Sequence, residues 1–501
     1  MIKIISRKSD LAIIQACLVG DAIKNKNNDI SIDYIYKDTK GDIDLTTPLS
    51  KLPEIGVFTS DLRESLMSEE ADIAVHSWKD LPIKLTKGTK IFGTLPRADM
   101  RDIVFFKREN IKKIKKYKKL TLLTSSPRRE YNLSSFLNNA LPFETTKINF
   151  ENIRGNIPTR LNKYFNGDSD GIVIAKSAID RLLANGDNNL SIEIREVIDN
   201  SVWLIPPLSE NPCAPAQGAI AIEVKDNRKD IINLVETVND PKTFESAQAE
   251  RKILSSYGGG CHQKIGVSFE KKSFGDVLTI KGITDENIIL KKRIIERKVK
   301  NKNWYGIDPD KIYPNNIKDY KLFSRENIKE KIKKVSSLRN KNILATRSNV
   351  LEGKEKIDSS NIIWTSGVKT WFQLAKKGFW VNGSFDSLGE SYDNLKFLSD
   401  NQWIKLTHSS SLDFSIKERL FTYKLIKNKI DENLSQKTHF YWMSGSAFEY
   451  AIEKFPEIIE KFHSCGPGNT YEIIKKNVTE DRIKIFLNYE DWKNEITNGK
   501  S

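Results

Sequence analysis

The stretch Asp72-Ile-Ala-Val-His-Ser-Trp-Lys-Asp80 constrains the fold more than any other part of the chain. The overlapping run Ala71–His76, with β-branched Ile73 and Val75, reads as a buried strand, the kind found in sheets covered by helices. The flanking pattern agrees. Ile2–Ser6 reads as a strand, Leu11–Lys24 as an amphipathic helix, Ile30–Tyr36 as a strand and Leu62–Met67 as a helix. Strands alternating with helices predict parallel βαβ units. The pattern restarts near residue 102, with strand Leu120–Thr124, a helix after Pro127, helix Thr159–Phe165 and strand Gly171–Ala175. Residues 197–224 add a strand-rich stretch, broken by Pro206-Pro207 and by Pro212 to Pro215, that is expected to cross back to the first unit.

The predicted fold class is α/β, in five parts. Residues 1–100 plus 197–220 form a first lobe, and 101–196 a second. Residues 221–300 form a small α+β module with helix Phe244–Ser255, a break at Gly258–Gly260, and strands Ile265–Phe269, Val277–Ile283 and Ile288–Glu296. Residues 301–340, rich in Lys and Asn, read as a linker. Residues 341–501 read as a further α/β region. The polar segment Thr39–Ser60, with Gly41 and Gly56, reads as a lid over a site.

Composition narrows the class. A chain of 501 residues predicts roughly two to four domains. Apolar residues at 39% with charged residues at 29% fit packed cores and exclude a disordered chain. No uncharged apolar run reaches the ~18 residues a membrane span needs, so no membrane partner is expected. Met1–Lys8 reads as a first strand and not a signal peptide. Cys17, Cys213, Cys261 and Cys465 lack paired spacing, which predicts free thiols in a reducing cytoplasm. The net charge of +15 raises nucleic acid as a partner. The lysine clusters, such as Lys112-Lys113 with Lys115-Lys116, carry no interleaved aromatics, so they read as solvated surface and no nucleic acid is expected. A monomer is expected.

The chemistry-bearing residues sit where strands end. Lys79 and Asp80 follow the buried strand, at the carboxyl edge where open α/β sheets bind ligands. They read either as an ion pair closing the strand before Pro82, or as a site in which a nearby cation keeps Asp80 ionised, able to stabilise a developing cation or move a proton. His76 reads as a satisfied core histidine. In Thr124-Ser125-Ser126-Pro127-Arg128-Arg129, Ser126 fits an N-cap and Pro127 a first helical position. Arginines in a first turn oppose the helix dipole, so Arg128 and Arg129 are either solvated or placed to hold an anion. Arg154-Gly155-Asn156-Ile157-Pro158-Thr159-Arg160 repeats the theme, and Arg7 adds another arginine at a strand-to-helix junction. Guanidiniums match carboxylates bidentately, so the set points to a small ligand with several carboxylates. Cys261, behind three glycines, is either a buried inert thiol or a mobile attachment point. His262 lies beside it, but no other Cys or His falls at ligand spacing, so no metal site is expected.

Taken in order, these residues resemble the porphobilinogen deaminase (hydroxymethylbilane synthase) family. The motifs are Arg7-Lys8-Ser9 with Leu11-Ala12 and Gln15-Ala16; Thr39-Lys40-Gly41-Asp42; Ala74-Val75-His76-Ser77-Trp78-Lys79-Asp80-Leu81-Pro82; Thr124 to Arg129; Arg154-Gly155-Asn156 with Thr159-Arg160-Leu161; Ala216-Gln217-Gly218-Ala219; Ala249-Glu250-Arg251; and Gly259-Gly260-Cys261 with Ile265-Gly266. They span residues 1 to about 300. The resemblance implies two periplasmic-binding-protein-like lobes around a cleft, and a module that holds a dipyrromethane cofactor covalently on Cys261. It implies a transferase that joins four porphobilinogens head to tail, releases ammonia at each step and frees a linear tetrapyrrole by hydrolysis. It makes Asp80 catalytic. Lys79, Ser77, Thr124, Ser125, Ser126, Arg128, Arg129 and Arg154 would hold the cofactor. Arg7, Gln15, Phe58 and Arg160 would meet the substrate. Ile55 and Ser60 stand where the family's lid usually carries lysines, and Pro127 where Leu is frequent.

Residues 341–501 resemble uroporphyrinogen-III synthase more faintly, through Ile343-Leu344-Ala345-Thr346-Arg347, Trp364-Thr365-Ser366-Gly367, Gly383-Ser384 with Leu388-Gly389-Glu390, Tyr441 to Ser446, and Cys465 to Thr470. That resemblance implies a second, cyclising activity of a multifunctional enzyme in tetrapyrrole biosynthesis, with a purely structural region as the alternative. For the whole chain the rival expectation is a two-lobed polycarboxylate-binding protein without catalysis.

Overall fold

The structure is a computed structural model that describes residues 1–39, 59–83, 86–184, 189–258, 263–296, 302–395, 397–409, 416 and 418–498. The chain divides into two compact units. The first comprises Met1–Asn138, Glu144–Lys271 and Val277–Arg293, and the second is chiefly Ile294–Ser501.

The first unit opens with β1 (Ile2–Arg7), α1 (Asp10–Lys26), β2 (Ile32–Lys37), α2 (Ser60–Met67), β3 (Ile73–Ser77) and β4 (Thr89–Gly93). It continues through β5 (Asp102–Lys107), α3 (Ile111–Tyr117), β6 (Lys119–Leu123), α4 (Pro127–Ala140), β7 (Lys147–Glu151), α5 (Ile157–Asn166), β8 (Gly171–Ala175), α6 (Lys176–Ala184), α7 (Asn189–Asp199) and β9 (Ser201–Leu204). It ends with β10 (Ile220–Lys225), α8 (Lys229–Glu236), α9 (Pro241–Ser255), β11 (Lys264–Lys272), β12 (Gly275–Ile283) and β13 (Ile289–Glu296). The expected parallel units are present: β1 pairs in parallel with both β2 and β3, and β6 with both β7 and β8.

The two large sheets share one plan. Their strand orders are β2-β1-β3-β10-β4 and β7-β6-β8-β5-β9. In each, one strand, β10 or β5, lies antiparallel beside the third parallel strand. The first core forms because α1 places Ala16, Val19 and Ile23 at helical spacing against Ile4, Ile73, Val75 and Ile222. Each such fully buried Val or Ile contributes about 1.5–3 kcal/mol. His76 is a core residue: its Nε2 lies 2.9 Å from the buried Glu223 carboxylate, which also takes Arg63 at 2.7 Å.

Three expected boundaries are corrected. Residues 197–220 do not all belong to the first sheet, since β9 pairs with β5 in the second and only β10 returns to the first. Residues 221–236 are not part of the small module, because Ile222, Val224, Ile231 and Val235 pack into the first core. The module proper is α9 with the sheet β11-β12-β13. Residues 302–340 are no linker. Trp304, Ile312, Tyr313, Leu322, Ile332 and Val335 are buried, spaced so widely among Lys and Asn that no periodic run shows in the sequence.

The second unit runs β14 (Ile312–Tyr313), β15 (Phe323–Asn327), α10 (Lys329–Lys334), β16 (Lys341–Ala345), β17 (Ile362–Thr365), α11 (Val368–Lys376), β18 (Gly383–Ser384), β19 (Gln402–His408), β20 (Glu418–Lys427), β21 (His439–Trp442), α12 (Gly445–Lys454), β22 (Phe462–Cys465), α13 (Asn469–Ile474), β23 (Ile483–Ile485) and α14 (Tyr489–Asn498). It carries two sheets, β15-β20-β19-β16-β17-β18 and β14-β21-β22-β23. Every recorded pairing in them is parallel except β15 with β20. Trp364, Trp371, Trp442 and Trp492 are fully buried in it.

Candidate functional site

A short 3₁₀ turn, Trp78–Asp80, follows β3 directly. Trp78 is buried against Phe244, with ring centroids 5.3 Å apart. The Arg251 guanidinium donates to the carbonyls of Trp78, Leu81 and Pro82 at 3.2, 3.2 and 2.5 Å. The turn is therefore held from beneath, which leaves Asp80 exposed and Lys79 half-buried. Of the two readings of Lys79 and Asp80, the contact ion pair does not form: the Lys79 ammonium donates to Gln217 Oε1 at 3.2 Å. Asp80 is near enough to favour the charge on Lys79 without touching it.

The arginines converge on the same place. Arg128 and Arg129 open α4, are buried, and share one carboxylate: Asp102 accepts from Arg128 at 2.8 Å and from Arg129 at 2.7 Å. Arg128 also donates to Asn211 Oδ1 at 3.0 Å and to the Pro212 carbonyl at 2.7 Å, and Arg129 to the Val173 carbonyl at 3.1 Å. They are not solvated. The Nε groups of both are buried without a hydrogen-bond partner among the described residues. The loop after β7 is tied down by Ser125, whose hydroxyl bonds both the carbonyl (2.7 Å) and the amide (2.8 Å) of Ile153, next to Arg154. Gly155 has φ of +114°, a conformation glycine adopts without strain. Asn156 caps α5 by accepting from the Thr159 amide at 2.9 Å, and Arg160 Nε donates back to the Gly155 carbonyl at 2.7 Å.

Electrostatics define the cluster. The Arg160 guanidinium is pushed down to about 10, first by burial and then by Arg129, Arg154 and Arg7, against the attraction of Asp80. Lys79 is lowered by burial and by Arg129 and Arg128, against Asp80 and Asp102. Burial alone would raise the Asp102 carboxyl, but Arg128 and Arg129 hold it well below the usual range. Six cations thus surround two carboxylates, of which only Asp80 is exposed. The surplus positive charge fits a ligand bearing several carboxylates.

The remaining expected site residues fall as follows. Gln15 and Ser77 hydrogen-bond each other (2.9 and 3.1 Å) at the start of the Trp78 turn. Thr124 is buried and its hydroxyl accepts from the Ser126 amide at 3.3 Å. Phe58, Cys261 and the lid segment 40–58 lie outside the described residues. Of the other cysteines, Cys213 and Cys465 are buried and burial raises both thiols, while Cys17 is partly exposed.

Sequence reasoning missed Asp102 and Asn211 and gave Gln217 no role. An acid that opens the apolar run Ile103–Phe106, as Asp102 does in β5, was the available signal.

The second unit carries a smaller cationic group on neighbouring strands. Arg325 on β15 stands diagonal to Tyr423 on β20, which lies opposite His408 on β19. The His408 and Tyr423 rings are 5.6 Å apart. His408 is lowered to about 4 by burial and by Arg347, Arg325 and Lys405, so its imidazole is neutral near pH 7. No carboxylate lies within ion-pair distance of Arg325 or Arg347 among the described residues, whereas Lys405 is paired with Glu390 at 2.7 Å. Among the described residues no helix is long and apolar enough to cross a membrane.

Two α/β sheets of one plan, with a cationic cluster at their strand ends, define an α/β protein with a candidate anion site. Residues 2–233 match the family model described as porphobilinogen deaminase, dipyromethane cofactor binding domain. The chain is 35% identical over 280 residues to "Probable porphobilinogen deaminase" of Sulfurisphaera tokodaii, covering 56% of this chain and 85% of that one. It is 32% identical over 294 residues to "Porphobilinogen deaminase" of Campylobacter fetus, covering 58% and 87%. The chain belongs to the porphobilinogen deaminase family, and its cofactor is dipyrromethane. Among solved structures, a TRAP periplasmic solute binding protein from Pseudomonas putida with bound D-glucuronate covers 52% of this chain and 81% of its own, at 9% identity and a TM-score of 0.26. A likeness that small carries no argument.

Proposed function

We propose that the chain is a hydroxymethylbilane synthase that condenses four porphobilinogens head to tail, with loss of ammonia at each step and hydrolytic release of the linear tetrapyrrole. The observation that carries this is the cluster of Lys79, Arg7, Arg128, Arg129, Arg154 and Arg160, with the exposed Asp80 in electrostatic reach of Lys79 and Arg160. Every pyrrole unit brings two carboxylates, so a growing chain needs many guanidiniums, while the chemistry needs one anion to oppose positive charge on a pyrrole.

In this reading Cys261 holds the dipyrromethane through a thioether. When bound, that group supplies the primer to which each new pyrrole is joined. Lys79, Arg128, Arg129 and Arg154, with Ser77 and Thr124 to Ser126, bind it. Arg7, Arg160, Gln15 and Phe58 meet the incoming substrate. Asp80 stabilises the cation formed as ammonia departs and moves the pyrrole proton. The two large sheets act as lobes on either side of a cleft. The protein works as a monomer in the cytoplasm, a reducing compartment that the free Cys17, Cys213 and Cys465 fit. A protein that only binds polycarboxylates has no need of an exposed acid amid bound anions, which disfavours the rival reading.

Intact mass of the denatured protein tests this reading. Excess mass equal to two porphobilinogens less two ammonias, absent from Cys261→Ser, is expected. An unmodified mass that persists after incubation with porphobilinogen rules the reading out. Asp80→Asn should keep the fold and the cofactor and lower kcat by about 10²–10⁴-fold; turnover within a few-fold of the parent rules out the role given to Asp80.

For the second unit we propose cyclisation of the released tetrapyrrole to uroporphyrinogen III, with a structural region as the alternative. The observation that favours it is the Arg325–Arg347–His408 group, with no carboxylate paired to either arginine among the described residues. Tethering would hand over the linear product at high effective concentration. Arg325→Gln with Arg347→Gln should shift the product from the type III to the type I isomer. An unchanged isomer ratio rules this reading out.

A further inference from the structure

The segment between β9 and β10 is the joint of the first unit. Gln217 stands at its centre and makes contacts in three directions. Its side-chain amide donates to the Met100 carbonyl at 2.8 Å and to Asp102 Oδ1 at 3.0 Å. Its Oε1 accepts from Lys79 at 3.2 Å. Its backbone carbonyl accepts from Arg97 Nε at 2.9 Å. Arg97 in turn holds the Glu250 carboxylate with two bonds of 2.8 Å, and Glu250 also accepts from the Phe269 amide on β11 and the Ala216 amide. One amide therefore joins the anchor of Arg128 and Arg129, the ammonium of Lys79, and the module that carries β11. It is 1% exposed, so no water replaces these contacts.

The geometry fixes which end of the amide faces Lys79. Asp102 and the Met100 carbonyl are both acceptors, so the NH₂ must point to them and the oxygen to Lys79. A neutral acceptor holds the ammonium in place while leaving its charge available to an anion. A carboxylate in that position would cancel the charge and would also repel Asp102.

We propose that Gln217 is a positioning residue for the condensation reaction: it aims the Lys79 ammonium at the carboxylates of the bound pyrrole chain and locks it to the Asp102–Arg128–Arg129 anchor. This rests on the deaminase reading given above. Lys79 is the group that touches ligand, and Gln217 acts through it. The charged groups that bear on Lys79 are Asp80 and Asp102, which favour its ammonium, and Arg128 and Arg129, which oppose it. Loss of the Gln217 acceptor removes a further support for the charged form.

The test is a double-mutant cycle on the full-chain holoenzyme, with cofactor loading checked by intact mass. Gln217→Met keeps the side-chain length and removes the hydrogen bonds to Met100, Asp102 and Lys79. It should raise KM for porphobilinogen about tenfold with kcat within about twofold, and move the alkaline limb of kcat/KM to lower pH. In the Lys79→Met background the same change should add little. Effects that add independently in the two backgrounds, or a KM and pH profile equal to the parent's, overturn the proposal. If Gln217→Met does not fold, Gln217→Asn, too short to reach Lys79, replaces it in the same cycle with the same two outcomes. A loaded parent enzyme that turns over no porphobilinogen overturns the function reading itself, and the proposal with it.

Discussion

At the scale of single residues, the site is set by the difference between the two carboxylates. Asp102 is buried and committed to two guanidiniums; Asp80 is exposed and committed to none. Asp102→Asn leaves Arg128 and Arg129 buried without a counter-ion, which should cost about 3–5 kcal/mol in urea unfolding. The pH dependence has a definite sign. The folded-state Asp102 carboxyl lies well below its ordinary value. Its contribution is therefore complete above the unfolded value of about 3.9 and is lost as pH falls through the folded value. The parent should lose stability in acid by an amount the Asn variant lacks; equal acid limbs would contradict this. Arg160 carries the opposite sign, since a cation whose folded value is depressed to about 10 costs stability at neutral pH and the cost fades as pH rises through that value. Arg160→Gln should accordingly raise the ligand-free melting temperature by a few degrees while lowering kcat/KM about tenfold or more. A lower melting temperature would show that Arg160 is held by contacts and not strained by its neighbours.

At the scale of elements, the connection from β9 to β10 decides how the parts are joined. Gly218 has φ of +87°, and a Cβ there would stand 2.5 Å from the Ala98 carbonyl oxygen. A Cβ at Gly266 would overlap the carbonyl of Pro212, so β11 runs against the same connection. Gly218→Ala should cost about 1–3 kcal/mol, read by chemical unfolding, because both the conformation and the space exclude a side chain. Much of this scale was legible in the sequence. The buried run Ala71–His76, the amphipathic α1 and the turn Arg154–Arg160 formed where their patterns predicted. Arginines in the first turn of α4 stood out because they oppose a dipole, and the structure shows the anion that compensates them, Asp102. Asp102, Gln217 and Asn211 were not legible as partners, since the residues they join lie up to 138 positions apart and only the fold brings them together. Nor does a strand announce its sheet: Val202 and Ile222 read alike, yet β9 and β10 pair in different sheets.

At the scale of the whole molecule, the boundary between the units matters more than the composition suggests. Read as a linker, residues 301–340 invite a truncation at their end. In the structure that stretch contributes β14, which pairs with β21, and β15, which pairs with β20. A chain ending at residue 340 would carry Tyr313, Leu322 and Phe323 without Phe440 and Trp442, and Ile312 without Tyr441 and Trp492, the aromatic residues they pack against. Unpaired edges and exposed apolar side chains of this kind promote association. A chain ending at residue 300 keeps every strand of the three sheets of the first unit and none of the second. The shorter protein should therefore be the better behaved: monodisperse, loaded with cofactor and with deaminase kinetics close to the parent's. The longer one should aggregate or be recovered poorly. Size-exclusion chromatography and intact mass of the two side by side decide the matter. A well-behaved 1–340 protein alongside an insoluble 1–300 protein would mean that the segment completes the first unit, against the strand pairing that assigns it to the second.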